Sequence, residues 1–409
     1  MISRLKGTDD ILPPDSAKWR VLLRAFGSLA ERFGYDLALL PVIEPTELFS
    51  RGVGEATEIV EKQMFTFEDR GGRSVTLRPE LTAGMVRAFL ASGAQGTLKL
   101  AAGGPMFRYE QPQKGRRRQF YQVDLEYLGE ESPEADIEII EVCYRLLEEV
   151  GIEGITLKLN SIGDPSDRAG YRSILQEYLR GRKGDLSKDA RDRTESNPLR
   201  VLDSKADADI VADAPVPLDH IGESAQEHFD AVRAGLETLG ITFEVDPRLV
   251  RGLDYYNRTV FELFSPAFEA AQSALGGGGR YDPLAVAIGA SREVAAVGAA
   301  MGCDRIVEAM PAPGGDRLDL FVTVAEPNLR GQARLWISRL RRDGIRVDWD
   351  PTPGRSLRGQ FKAADRSGAA AVAVVGEEWE VGQVTVRRLA TGEEARVAVE
   401  EVGAWSTSR

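Results

Sequence analysis

Apolar residues recur at helical spacing near the start of the chain, at Trp19, Leu22, Leu23, Phe26, Leu29, Ala30 and Phe33. The spacing predicts a helix over 15–33, with Pro14 and Asp15 suited to its start and Gly34 to its end. The stretch LALLPVIEP (37–45) predicts a strand. Pro41 inside it cannot donate to a ladder, which makes it an edge or interface element. Residues 75–92 read as strand, turn and helix, the turn marked by Pro79 and Thr82. Between 104 and 129 the pattern predicts two strands joined by a basic loop. Met106, Arg108 and Glu110 share one face of the first strand. In the second, Phe120, Gln122, Asp124 and Glu126 share a face and Tyr121, Val123, Leu125 and Tyr127 the other, so an apolar face can cover a core while a polar face points the opposite way.

A helix is predicted over 135–149 and a strand over 155–163. Charged and small polar runs across 165–240 predict a mostly helical insertion. Strands resume at 243–265 and 276–286, and 295–310 reads as a buried strand running into a helix. AMPAPGGD (309–316) is a Pro/Gly-rich boundary. Beyond it strands alternate with helices and end in two further strands, the pattern of a small α/β domain with a parallel sheet. These segments predict a first domain over 1–164 and 241–310, the insertion over 165–240, a linker over 311–316 and a second domain over 317–409.

Composition narrows the class. A chain of 409 residues with 43% hydrophobic and 28% charged residues is that of an ordinary globular protein of two or three domains. No apolar run is long enough to cross a bilayer, and the first residues, MISRLKGTDDILPP, lack the apolar core of a secretory signal. A cytoplasmic protein with reduced thiols is therefore expected, since Cys143 and Cys303 are too far apart in sequence for a zinc cluster. With only His220 and His228 present, a histidine general base is not expected.

The net charge of −12 argues against non-specific coating of nucleic acid, yet two basic patches stand out. One is the loop bearing Lys114, Arg116, Arg117 and Arg118; the other spans Arg330 to Arg366, which also fits the solvated face of an amphipathic helix. Glu80, Arg108, Glu126, Arg251 and Arg305 fall on predicted strands or turns of the first domain. Arginines suit phosphoryl oxygens, and carboxylates suit an amine or Mg²⁺. Glu80 and Thr82 lie just before a helix, where an ammonium site and a simple helix cap fit equally well. Neither a P-loop nor a GxGxxG motif occurs, so a nucleotide would lie on an antiparallel sheet and be held by arginines.

Seven segments then carry a resemblance: KGTDDILPP, LPVIEPTELFSR, TLRPELTAG, PMFRYEQPQKGRRRQFYQ, LVRGLDYYNRTVFE, GGRYD and MGCDRIV. In this order they resemble the histidyl-tRNA synthetase family, from Leu5 to about Val399. The resemblance implies a class II synthetase catalytic domain (α+β, with a mixed, mostly antiparallel sheet), a helical insertion and a C-terminal α/β anticodon-binding-like domain. It implies a cytoplasmic homodimer that joins L-histidine to tRNA(His) with ATP and Mg²⁺, without a prosthetic group. By motif, Glu80, Leu81 and Thr82 would meet the substrate amine. Gln122 and Glu126 would line the amino-acid pocket, with Tyr255, Tyr256 and Tyr281 enclosing the imidazole. Arg108 and Arg251 would act on the α-phosphate and the substrate carboxylate, and Arg116 and Arg305 would hold the rest of ATP. Gln111, Gln113, Lys114 and Arg117 are the tRNA-contact candidates.

Three positions depart from the common pattern: Gln111 in place of Arg, Tyr121 in place of His, and Leu81 in place of Gly in RPEGT. The main alternative is a catalytically inactive paralogue that senses histidine and regulates histidine biosynthesis; another is a tRNA-binding module without catalysis. The first generally lacks the C-terminal domain and parts of VRGLDYYNRT, both present here.

Overall fold

The computed structural model describes residues 2–407 apart from 55, 56, 58, 111–116, 251, 252, 254, 269–273 and 313–317. Two compact units divide at Pro313/Gly314, inside the Pro/Gly-rich boundary. The first is built on an eight-stranded sheet in the order Asp36–Leu37, Leu98–Phe107, Gln119–Leu128, Ala296–Gly302, Ala274–Arg280, Asn257–Phe264, Thr156–Ser161, Glu244–Val245. Its two end pairs run parallel and the inner neighbours antiparallel.

The alternation in 119–128 explains how this sheet is covered. Val123 and Leu125 join Trp19 and Leu22 of helix Ser16–Arg32, Ile139 and Ile140 of helix Pro133–Glu149, and Phe229 in one core. On the other face Met106 and Leu128 pack with Met85 of helix Thr82–Ser92 and Leu175 of helix Pro165–Arg180. The polar face is thus roofed over as well, and Asp124 and Glu126 are fully buried. Leu23, on the predicted stripe of the first helix, is 50% exposed, since its side falls outside the arc facing the sheet.

The predicted strand 37–45 divides at its proline. Asp36–Leu37 edges the large sheet, whereas Ile43–Pro45 joins a separate three-stranded sheet with Ser74–Leu77 and Phe65–Glu68. Pro41 offers no N–H to continue a ladder, and the chain there is held instead by Arg78, whose Nη1 donates to Leu40 O at 3.1 Å and Pro41 O at 3.3 Å.

Segment 165–240 carries helices Pro165–Arg180, Lys188–Ser196, Ala208–Ala212 and Glu223–Thr238. In the last of these, Phe229, Val232 and Leu236 belong to the same core as Ile137 and Ile140, so this helix is part of the layer covering the sheet. Among the described residues no helix is long and apolar enough to cross a membrane.

The second unit is a five-stranded sheet in the order Val347–Trp349, Leu318–Val324, Ala369–Val375, Gln383–Arg388, Glu394–Ala398. Its first three strands are parallel, as the alternation predicts; the last two pair antiparallel. The short connections 376–382 and 389–393 cannot make the crossover a parallel pair requires. Helix Arg330–Arg342 buries Ala333, Trp336, Ile337 and Leu340 and turns its arginines outward, where Arg330 lies 4.7 Å from the Trp349 ring centroid.

Candidate active site

A cavity of about 450 Å³ opens over the middle of the large sheet. Strand register sets its length. Tyr281 follows the end of strand Ala274–Arg280, while Arg305 Nη1 donates to Ala274 O at 2.8 Å at the start of it. At about 3.4 Å per residue the two ends lie on the order of 20 Å apart.

At the Tyr281 end the groups are buried and bonded to one another. Tyr281 OH donates to Glu126 Oε2. Tyr255 sits 4.7 Å from Tyr256 and 5.5 Å from Tyr281 between ring centroids, so three aromatic rings wall one compartment. Glu126 lies beneath it, fully buried. Burial pushes its carboxyl up to about 8, against the lowering effect of hydrogen bonds from Thr82 and Tyr281. Glu80 uses Oε1 to accept from Ala83 N at 3.0 Å, capping helix Thr82–Ser92. Its Oε2 has no protein partner. Glu80 thus caps the helix with one oxygen, and the other is left for a further partner. Burial raises the Glu80 carboxyl, and it raises Asp124 still further, with Glu126 and Glu80 adding repulsion.

Buried carboxyl and amide oxygens without partners converge here: Glu80 Oε2, Gln122 Oε1 and Glu126 Oε1, with both oxygens of Asp124 between them on the strand. Leaving such atoms unpaired costs about 1–3 kcal/mol each. The compartment is complementary to a small ligand rich in N–H donors.

Gly298 makes room for this arrangement. It pairs with Glu126 across the sheet, and a Cβ there would come 1.5 Å from Glu126 Oε2 and 2.7 Å from Leu125 O. Gly278 is similarly required, because its Cβ would meet Gly298 O at 1.9 Å.

The other end is cationic. Arg108 and Arg305 line the same cavity. Arg108 Nε donates to Pro79 O at 3.0 Å, and its guanidinium lies 5.1 Å from the Phe120 ring centroid. Arg117, expected at the tRNA, stands in the cavity wall, where Nη1 donates to Asp304 Oδ1 at 2.9 Å and Nε lies 3.2 Å from Asp9 Oδ2. Asp304 also accepts from Tyr121 N at 2.8 Å. The Tyr121 ring packs edge-on against Trp19 at 5.2 Å, on the apolar face.

The structure thus brings Glu80, Thr82, Arg108, Gln122, Tyr255, Tyr256, Tyr281 and Arg305 around one cavity, with Glu126 under its floor. Leu81 is the exception. It is 1% exposed and packs with Met85 and Val86, because the first turn of the helix directs it inward. Arg251, Arg116, Gln111, Gln113 and Lys114 lie outside the described residues. Pattern reading missed Gly298, Asp304 and Glu262, all on the cavity wall. Asp304 adjoins the predicted Arg305 and could have been noticed; Gly298 carries no local signal.

A family model described as histidyl-tRNA synthetase matches residues 7–306, and one described as anticodon binding domain matches 319–408. The histidine–tRNA ligase of Mycolicibacterium vanbaalenii is 44% identical over 415 aligned positions, covering 99% of this chain and 97% of its own length. That of Geobacillus kaustophilus is 43% identical, covering 97% and 96%. The crystal structure of apo S. aureus histidyl-tRNA synthetase superposes with a TM-score of 0.79 at 32% identity, over 100% of both chains. A Bacillus halodurans structure described as an ATP phosphoribosyltransferase regulatory subunit/histidyl-tRNA synthetase matches with a TM-score of 0.64 at 22% identity, covering 92% of this chain and 98% of its own, a likeness of fold alone.

Proposed function

The chain belongs to the histidyl-tRNA synthetase family, and from that premise we propose which of its residues carry the work of a histidine–tRNA ligase. The enzyme activates L-histidine with ATP to histidyl-adenylate and pyrophosphate, then passes histidine to the 3′ end of tRNA(His). The three tyrosines and Glu126 take the imidazole, while Glu80, Thr82 and Gln122 take the α-ammonium. The observation that supports this most is the convergence of unpartnered buried acceptors within one aromatic compartment, facing Arg108 and Arg305 along a single cavity.

In the first step the histidine carboxylate attacks the α-phosphorus and pyrophosphate leaves. No protein nucleophile is needed, so positioning and charge neutralisation supply the rate. Arg108 and Arg251 stabilise charge on the α-phosphate and the attacking carboxylate. Arg305 and Arg116 hold the far end of the triphosphate, which brings Mg²⁺ with it as part of the substrate. Gln111, Gln113 and Lys114 are the candidates for touching the acceptor end of tRNA, and the second unit for its anticodon. A cytoplasmic homodimer is the assembly this reading entails; exposed Leu37, Leu39 and Ile43 beside the edge strand support a face for it.

Histidine-dependent exchange of pyrophosphate into ATP, followed by charging of tRNA, tests the reading. Both should occur. Histidine binding without either would return the chain to the regulatory alternative, and exchange without charging to a different ligase. Sedimentation at micromolar concentration should give a dimer, and a monomer would remove that part.

A further inference from the structure

Behind the aromatic compartment runs a buried polar circuit that the chemistry above does not use. Arg280, 1% exposed, immediately precedes Tyr281. Its Nε donates to Asp136 Oδ2 at 3.1 Å, Nη1 to Glu130 O at 2.9 Å and to Asp282 Oδ1 at 3.3 Å, and Nη2 to Ser132 O at 3.2 Å. Asp136, in the first turn of helix Pro133–Glu149, is fully buried. His228, on helix Glu223–Thr238, places Nε2 3.3 Å from Asp136 Oδ1, at ion-pair distance though outside hydrogen-bond geometry. The His228 Nδ1 lies 3.4 Å from Arg258 Nη1. The Arg258 guanidinium can only donate, so Nδ1 is the acceptor, and Nε2 faces the Asp136 carboxylate.

Arg258 closes the circuit. It donates from Nε to Asp164 Oδ1 at 2.6 Å and from Nη2 to Ser224 Oγ at 3.2 Å. Its φ of +49° is the sole positive value among the described non-glycine residues, a conformation that persists only where the surroundings over-determine it. Asn257 beside it donates from Nδ2 to Asp282 Oδ2 at 2.9 Å, and Asp282 N donates back to Asn257 Oδ1 at 2.9 Å. Asn257 follows Tyr255 and Tyr256, and Asp282 follows Tyr281. The first aromatic segment thus leads into half-buried Arg258 and the second follows buried Arg280, and the two arginines meet at one histidine–aspartate pair.

We propose that His228 and Asp136 are positioning residues for histidine recognition, setting the Tyr255–Tyr256 and Tyr281 walls through Arg258 and Arg280 and so tying helix Glu223–Thr238 to the imidazole compartment. The proposal rests on the assignment of that compartment to histidine. Fold stability alone is a poor reason for such a circuit, because replacing buried ion pairs by apolar groups of similar size is often neutral or stabilising.

Binding of histidine and of ATP, each titrated calorimetrically into the full-length protein, tests it without depending on turnover. His228→Leu keeps the volume and the Arg280–Asp136 pair but removes both imidazole contacts. It should weaken histidine about tenfold, a loss of about 1.4 kcal/mol, and leave ATP unchanged, while His228→Gln, whose amide reaches the Asp136 side, should recover most of the loss. Equal weakening of both ligands, or wild-type binding of both, would overturn the proposal. Should His228→Leu fail to fold, His228→Gln and His228→Asn decide: the Gln variant must bind histidine more tightly than the Asn variant, and equal affinities overturn it. Failure of wild-type protein to bind histidine at all would instead strike the assignment of the compartment.

Discussion

The two ends of the cavity are built on different terms. At the Tyr281 end, Glu80, Glu126 and the tyrosines are buried: Glu126 sits on a central strand and accepts from Tyr281, Glu80 caps a helix, and the three rings pack on one another. At the other, Arg108, Arg117 and Arg305 are half-buried cations resting on carbonyls or carboxylates that a triphosphate could displace. Discrimination among amino acids needs fixed, desolvated groups, since a site built to hydrogen-bond a ligand rejects one that cannot answer. Charge neutralisation at phosphate tolerates looser placement, because it acts over a longer range. The contrast predicts that damage at the arginine end falls on rate and damage at the tyrosine end on histidine affinity.

The largest effect should come from Arg108. Removing one preorganised donor at a centre of developing charge typically costs ~2.7–4 kcal/mol, or roughly 10²–10³ in kcat. Arg108→Ala should show that loss in pyrophosphate exchange with a smaller change in histidine Kd, and Arg251→Ala should behave alike. Arg108→Lys should recover only part of the rate, since it keeps the charge but not the fork. A variant of either arginine with near wild-type exchange would remove it from the role.

Gly298→Ala tests the opposite end. The added Cβ would fall 1.5 Å from Glu126 Oε2 and 2.7 Å from the Leu125 carbonyl oxygen, so the carboxylate must move. The KM for histidine should rise on the order of 10- to 100-fold, matching about 1–3 kcal/mol of lost hydrogen bonding. The exchange rate at saturating histidine should fall much less. A variant whose kcat collapses while KM holds would break the division between the two ends.

Glu126 sharpens the contrast through pH. In the folded protein it holds its proton up to about 8, against an ordinary value of 4.5. Between these values the folded chain binds more protons than the unfolded one, so stability is full below the lower value and is lost as pH rises through the upper. Glu126→Gln cannot ionise. It should flatten the decline of the denaturation midpoint between about pH 5 and about pH 8, an effect on the order of a few kcal/mol in unfolding free energy. An unchanged slope would mean that Glu126 is ionised in the free protein.

How far these ends could be read in advance follows from the range of the forces involved. Alternation of side chains along one strand is local, and it put Gln122 and Glu126 on a shared face before any partner strand was known. The proline in 37–45 likewise announced an edge element, though not that the stretch divides between two sheets. Gly298 was illegible because its function arises only where strand Ala296–Gly302 pairs with Gln119–Leu128, far away in sequence. Leu81 packs into the core for a related reason: a motif names neighbours in sequence, while the geometry at the start of the helix decides which side chains reach the cavity. The roof over the polar face was hidden too, since it is supplied by helices Thr82–Ser92 and Pro165–Arg180.

Arg117 offers the finest test, because sequence and geometry disagree about it. Its place in the basic loop suggested tRNA, whereas Asp304 and Asp9 hold it in the cavity wall with 38% of its side chain exposed. Partly exposed pairs of this kind contribute about 0–1 kcal/mol. Arg117→Ala should therefore shift the denaturation midpoint little and raise the KM for ATP by no more than about fivefold, leaving the KM for tRNA unchanged. A tRNA contact would give the reverse: weaker tRNA binding, and a salt dependence of that binding reduced by about one phosphate contact. Measured against salt, the two positions for one guanidinium separate cleanly, since displacing a phosphate contact releases a counterion and displacing Asp304 does not.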